Sequence, residues 1–328
     1  MSIKKFIKEN YLHFNAGELN RAVETLEKQL KFKNKIFLTL SGAMSTARIG
    51  RLLAPAIEKG LIGAICCTGA NLEEDVFNAI EGHRYKQVHW RSLSDGDEEF
   101  LVKSGWNRVT DTCIPEDVMR HVWKILLESW NSEFKLSPYE HMRRALNKIV
   151  ESETVTPRLN ESWVWAAHKA DIPVFVPGWS DSTTGNMFTA SVKKGEVKHG
   201  YHSVISDAEQ FELLANWYEN NTSNVSNGPA FLQVGGGIAG DWPICVVPSL
   251  RQDENKDVPH WGYFCQIGDA PASYGGYSGA PPNEKITWDK ISSQTPRFAI
   301  QSDATIVLPL ILSYLLETKN NNLNETPT

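Results

Sequence analysis

The chain has 328 residues, 41% of them hydrophobic and 22% charged, with a net charge of −6. This balance describes a globular protein able to bury a sizeable core, as one large α/β domain or two smaller ones. The acidic balance and the lack of a basic stripe exclude nucleic acid as the main partner and suit cationic substrates.

Residues 3–16 read as a short amphipathic lead-in with exposed aromatics Phe6, Tyr11 and Phe14. Ala22, Leu26 and Leu30 then recur at helical spacing, so residues 1–33 form a helical lead-in. Lys35–Leu40 (KIFLTL) is a compact apolar run before a glycine, as a buried parallel strand requires. SGAMST follows, and Ala47–Lys59 is a predicted helix ending at Gly60. Leu61–Cys67 is the next predicted strand, TGAN a second small-residue turn, and Leu72–Ile80 a helix rich in acids. Strand, small-residue loop and helix, twice in succession, is the rhythm of a doubly wound sheet. Such loops lie at strand carboxyl ends, where these sheets bind ligands. Gly42-Ala43 and Gly69-Ala70 there let a dinucleotide approach the backbone, although neither matches GxGxxG.

Three helices are predicted next: Pro115–Trp130, Glu140–Ile149 and Glu161–Lys169. Their tryptophans, Trp123, Trp130, Trp163 and Trp165, indicate helix packing or a subunit interface. Ile172–Val176 returns to strand character, and PGWSDSTTGNM follows as a polar, glycine-bearing loop containing Asp181. Ser206–Tyr218 is a predicted helix, ENNTSNVSNG an exposed loop, and Ala230–Val234 a strand before Gly235-Gly236-Gly237. Gly262–Ile267 is a strand leading to the Gly275-Gly276 turn; Arg297–Ile300 and the helix Ala304–Leu316 close the fold. The tail, residues 319–328, is predicted to be disordered. The expectation is a Rossmann-like, doubly wound, mostly parallel sheet flanked by helices, in one large domain over residues 1–318 with a single composite site.

The five cysteines, Cys66, Cys67, Cys113, Cys245 and Cys265, show no CxxC spacing and are expected to be reduced and buried. The nine histidines show no HExxH or other ligand spacing, so no metal is expected. The N-terminus lacks the apolar region of a signal peptide, and the longest apolar run, Ala304–Leu316, is too short for a bilayer and contains Pro309. A soluble cytoplasmic protein with no membrane partner is expected.

The stretch Ser278–Lys290 (SGAPPNEKITWDK) places Glu284, Trp288 and Lys290 within seven residues. A lysine attacks carbonyl or imine carbon only as the neutral amine, which requires lowering its usual pKa of about 10.4. Packing against an indole in a dry pocket does this, because desolvation penalises the ammonium. An indole face also holds cations. The bland alternative is a solvated Lys290 beside a core Trp288.

TGANLEED (Thr68–Asp75), the Gly235–Gly237 loop, SGAPPNEKITWDK and SDATIVLPL (Ser302–Leu310) occur in one order along the chain. With these motifs the chain resembles the deoxyhypusine synthase family over nearly its whole length. GAMST, RVTDTCIPE and VPGWSDSTTGNM look most like its bacterial deoxyhypusine-synthase-like branch. The resemblance implies NAD-dependent aminobutyl transfer: an amine donor such as spermidine is oxidised to an imine, a lysine captures the butyl group as a Schiff base, and an acceptor amine receives it. That lysine matches Lys290. The resemblance places Glu74, Glu284, Trp288 and Ser278 around the polyamine. It places NAD against Gly42, Ala43, Met44, Ser45, Thr46, Thr68, Gly69, Ala70, Glu74, Asp181, Gly236, Asp269, Ala270, Asp303 and Ala304. Asp181 and Asp303 also have a plain reading as helix caps. The resemblance further implies a homotetramer with sites shared between subunits.

Three positions depart from the family. Asn186 and Tyr277 stand where a synthase acting on the hypusine-bearing factor has aspartates, and Asp241 stands where it has a histidine. These belong to the shell that binds the polyamine. Matching each ammonium is worth about 1–3 kcal/mol, enough to change which amine binds. The first expectation is therefore an alkylamine transferase acting on small polyamines, for example making homospermidine from putrescine. The second is deoxyhypusine synthesis on a protein lysine. The third is a catalytically silent NAD-binding scaffold, against which Lys290, Trp288, Glu284 and Glu74 argue.

Overall fold

A computed structural model describes residues 2–31, 34–152, 157–223 and 225–324. In chain order the strands are β1 (Ile36–Leu40), β2 (Ile62–Cys67), β3 (Lys86–Gln87), β4 (Trp106–Val109), β5 (Thr112–Pro115), β6 (Val174–Phe175), β7 (Ala230–Val234), β8 (Tyr263–Gly268) and β9 (Arg297–Gln301). Six of them form one parallel sheet in the order β6-β2-β1-β7-β8-β9. The chain winds outward from β1 to one edge, returns, and winds outward from β7 to the other. The carboxyl ends of β1 and β7 therefore flank the switch point at which such sheets bind ligands. This is the doubly wound fold expected from the apolar runs.

Strand alternation divides the core into two layers. Ile36, Leu38, Leu40, Leu232 and Val234 face the larger cluster, with the helices Gly50–Glu58, Gly69–Glu81 and Glu116–Trp130. Phe175, Phe37, Phe231 and Phe264 face the other, where they form a stacked row with successive centroid separations of 6.3, 5.5 and 6.0 Å. Small residues Ala64 and Cys66 on β2 let the row pass over that strand. Trp261 tilts against Phe37 and Phe231, closing the layer. Trp130 and Trp163 are fully buried, and Trp123 and Trp165 pack on the same cluster, so these aromatics are core material.

Several expectations need correction. TTGNM does not continue a loop: Ser182 caps a helix, Thr183–Lys193, by accepting from the Gly185 N–H at 3.1 Å. The helix expected to end at Tyr218 runs Asp207–Thr222 and absorbs the start of ENNTSNVSNG; residue 224 of that stretch lies outside the described residues. The final helix is Ala304–Asn324, so the expected disordered tail is helical as far as Asn324, and 325–328 lie outside the described residues, as do 1, 32 and 33 of the lead-in. An antiparallel sheet, β3-β5-β4, with the helix Asp95–Lys103, had no strong signal in the sequence because its strands are short and its outer two are exposed or half exposed. Among the described residues no helix is long and apolar enough to cross a membrane.

Candidate active site

The loop after β1 is held open at the switch point. Gly42 adopts φ +61°, and among the described residues a Cβ added there would meet no atom within 4 Å, which leaves its backbone accessible. The loop owes its shape to Asn71, a fully buried residue the sequence reading passed over. Its Oδ1 accepts from the Ser45 N–H at 2.9 Å. Its Nδ2 lies 3.0, 3.2 and 2.9 Å from the Leu40, Ser41 and Gly42 carbonyls and 2.9 Å from Thr68 Oγ1. Thr68 in turn caps the helix Gly69–Glu81, accepting from the Asn71 N–H, and donates to the Gly42 carbonyl at 2.9 Å. Ser45 accepts from the Trp163 indole at 2.9 Å. Across the switch point Ser41 Oγ donates to the Gly236 carbonyl.

Three acids follow on the helix Gly69–Glu81, and all are buried. Glu73 accepts from the Thr183 and Thr184 N–H groups at 2.9 and 2.7 Å and from Thr184 Oγ1 at 2.8 Å, so it fixes the start of the next helix. Asp75 accepts from the Ser162 hydroxyl and from the Val164 N–H at 3.0 Å; burial still pushes it up to about 7. Glu74, 6% exposed, is pushed up to about 8 by burial and then by the Glu73 charge, against a weak Tyr85 hydroxyl bond of 3.4 Å. A carboxyl held neutral by desolvation ionises when a cation arrives beside it.

The amine cluster lies beyond β7 and β8. Lys290 is partly buried, with its Nζ 5.9 Å from the Trp288 ring centroid, within cation–π reach. The expected dry pocket is not built by one chain, because Trp288 is 67% exposed; nor is Trp288 core. The helix beneath, Glu284–Thr287, is four residues long and leaves Glu284 and Trp288 on the rim. Between Trp288 and Lys290, Asp289 has φ +55°, a conformation that costs a non-glycine residue about 1 kcal/mol. It is held there by Arg251 Nε at 2.9 Å and His260 Nε2 at 2.6 Å. Burial works against its charge, but His260 and Arg251 outweigh it and hold the carboxyl below its usual range.

Lys285, which the sequence reading ignored, is 4% exposed. Burial lowers its pKa; Asp241 pulls it up and Lys290 pushes it down. Burial raises Asp241, whose Oδ2 is buried with no hydrogen-bond partner among the described residues, while Lys285 and Lys290 pull it down. Ser278 packs on the GGG loop so closely that a Cβ on Gly236 would stand 1.7 Å from its Oγ. Gln233 and Gln266, adjacent in register on β7 and β8, extend this polar region inward: Gln266 Nε2 donates to the Ser278 carbonyl at 2.6 Å. Each glutamine interrupts an apolar strand run, a signal that was legible in FLQV and FCQI.

The remaining expected residues are distributed along the same rim. An open cleft of about 790 Å³ brings together Ala43, Thr46 and Asp303, with Arg48, Lys86 and Arg158 supplying cationic walls. Met44 and Thr305 line an adjoining cavity of about 340 Å³. A cleft of this size with small residues and three cations fits a dinucleotide and its phosphates. Asp303 also caps the last helix, accepting from the Thr305 N–H at 2.7 Å. Of the expected cofactor residues, Gly42, Ser45, Thr68, Gly69, Ala70, Glu74, Asp181, Gly236, Asp269, Ala270 and Ala304 do not line this cleft; Asp181 and Asp269 are exposed. Asn186 is exposed, and its amide donates back to the Ser180 and Ser182 carbonyls at 3.0 and 2.6 Å. Tyr277 begins the short turn Tyr277–Gly279, and its side chain lies outside the described residues.

The deoxyhypusine synthase family model matches residues 7–315. The chain belongs to the deoxyhypusine synthase family. Its similarity extends to the probable deoxyhypusine synthase 2 of Methanosarcina mazei, 25% identical over 95% of this chain and 86% of that protein. The deoxyhypusine synthase-like protein of Chlorobaculum parvum is 26% identical over 94% of this chain and 84% of its own length. An Entamoeba histolytica crystal structure provisionally assigned as a deoxyhypusine synthase shares the fold, with a TM-score of 0.56 and 14% identity over 96% of this chain and 93% of that one. Membership of this family supports transferase chemistry of the aminobutyl type, for which NAD is the typical cofactor.

Proposed function

We propose that this protein is an NAD-dependent alkylamine transferase in which Lys290 carries the transferred group and small polyamines are donor and acceptor. NAD, when bound, supplies the oxidation of the donor amine to an imine and the later return of the reducing equivalents. The residues that would hold it are the Gly42–Thr46 loop, Thr68–Ala70 and Asp303, with Arg48, Lys86 and Arg158 for its phosphates. The neutral Lys290 amine adds to the imine carbon and the donor's departing amine leaves. The acceptor amine then displaces Lys290 by the same addition and elimination. Glu74 receives an ammonium and gives up its proton as that cation binds. Glu284 and Trp288 hold the amine end near Lys290.

The observation that carries this reading is the juxtaposition of Lys290 with Trp288, Asp241 and Lys285 on the strand-carboxyl rim of a family fold. Homospermidine-type transfer is favoured over a protein acceptor by Asn186, which puts an amide turned onto its own helix cap where the family has a carboxylate. Transfer to a protein lysine, the usual family reaction, is the second reading. We further propose a homotetramer in the cytoplasm. Trp288, Tyr274, Ile238 and Ile306 are all exposed in the segments that follow β7, β8 and β9, and a subunit covering them would dry the surroundings of Lys290. The test supplies NAD and isotope-labelled spermidine together with putrescine or a lysine-bearing acceptor protein. Label in homospermidine is the expected result; label confined to the protein lysine selects the second reading.

A further inference from the structure

Lys285 has the properties of a functional group and none of a surface lysine. It sits on a four-residue helix among residues that are largely exposed, yet its side chain is buried. Its Nζ lies 5.1 Å from the Phe264 ring centroid, at the end of the stacked phenylalanine row. Its carbonyl accepts from the Lys290 N–H at 3.0 Å, so the two lysines are ends of one closed turn. The charged and titratable groups facing it are Asp241 and Cys245 from the helix after β7, and Glu284 and Lys290 from its own segment. Opposite them, Asp289 is occupied by Arg251 and His260. Among the described residues Asp241 keeps a buried oxygen without a hydrogen-bond partner, and both lysines act on it electrostatically. Burying an ammonium beside a second ammonium is costly, and a structural role would be served better by methionine or leucine.

We propose that Lys285, closed into one turn with Lys290 and buried beside the helix that carries Asp241, is a positioning residue whose charge sets the surroundings of the Lys290 amine. A fixed cation beside a lysine disfavours its ammonium form, and a fixed anion favours it. The pair thus acts on Lys290 in opposite senses, with Asp241 limiting how far Lys285 shifts it. No co-reactant is needed, because only the proton on Lys290 Nζ moves, to solvent. The consequence for catalysis rests on the reading of Lys290 as the nucleophile; the electrostatic claim does not.

The test is competitive acetylation of the full-length protein with acetic anhydride across pH 6–11, quantified on the Lys290 peptide by mass spectrometry. Lys285→Met keeps an unbranched side chain of nearly the same length and removes the charge. It is expected to raise the Lys290 titration midpoint and lower its labelling at pH 8 about three- to tenfold. Asp241→Asn is expected to move the midpoint down, and Lys285→Arg to leave it within a factor of two of wild type. Unchanged midpoints in Lys285→Met and Asp241→Asn, or a shift of both in one direction, would overturn the proposal. Borohydride trapping with NAD and spermidine separates the two claims. Opposed midpoint shifts without an adduct on Lys290 sink the transferase reading alone, and an adduct with unmoved midpoints sinks only the role of Lys285.

Discussion

The acid cluster on the helix Gly69–Glu81 and the amine cluster around Lys290 are built in opposite ways. Glu73 and Asp75 are buried and bonded to backbone N–H groups some ninety to a hundred and ten residues away in sequence, so their geometry is complete within one chain. Lys290 stands at the end of a short turn, with Trp288 and Glu284 left exposed and only Lys285 enclosed. The strands these clusters follow, β2 and β8, are separated by β1 and β7, about 14 Å at ordinary strand spacing. The difference teaches that one half of the site is preorganised by its own fold, whereas the reactive half is anchored but not enclosed.

The largest expected loss of stability comes from attacking the preorganised half. Asn71→Ala removes the carboxamide that joins the β1 loop to the cap of the next helix and leaves buried backbone groups unpaired. A loss of about 3 kcal/mol is expected in urea denaturation, with NAD affinity falling alongside. A loss below about 1 kcal/mol would mean that the loop holds its shape without this staple.

Glu74→Gln sharpens the comparison through pH. The folded-state pKa of Glu74 is raised to about 8 from an ordinary 4.5, so the native state binds the proton more tightly than the unfolded chain. Its contribution is complete below the unfolded value and is lost as pH rises from about 4.5 through 8. Glutamine has no proton to lose. The variant should match wild type near pH 4.5 and exceed it by about 2–4 kcal/mol at pH 9. Parallel stability curves would show Glu74 to be solvated.

The smallest expected stability effect lies in the amine half. Asp289→Gly relieves the positive φ and forfeits the bonds to Arg251 and His260, contributions that nearly offset one another. Stability should stay within about 1 kcal/mol, while capture of an amine-derived imine by Lys290 slows about three- to tenfold because the turn loses its brace. Equal capture rates would show that the backbone alone presents Lys290.

The fold was legible because KIFLTL, LIGAICC and the later apolar runs each end in small residues, the pattern of buried parallel strands. The β3-β5-β4 sheet was not, because Lys86–Gln87 is two exposed residues held by partners across the chain. In the candidate site, Lys290 and Glu74 drew notice through short motifs. Asn71, Glu73 and Lys285 did not, because their importance depends on which distant groups enclose them. Lys285 reads locally as an ordinary charge between Glu284 and Ile286, and only packing against β8 makes it unusual.

The most direct measurement is borohydride reduction of the protein incubated with NAD and spermidine, followed by peptide mapping of wild type and Lys290→Ala. The account predicts an aminobutyl mass increment on the Lys290 peptide that requires both NAD and the amine and is absent from the variant. An increment on another lysine, or undiminished turnover by Lys290→Ala, would contradict it.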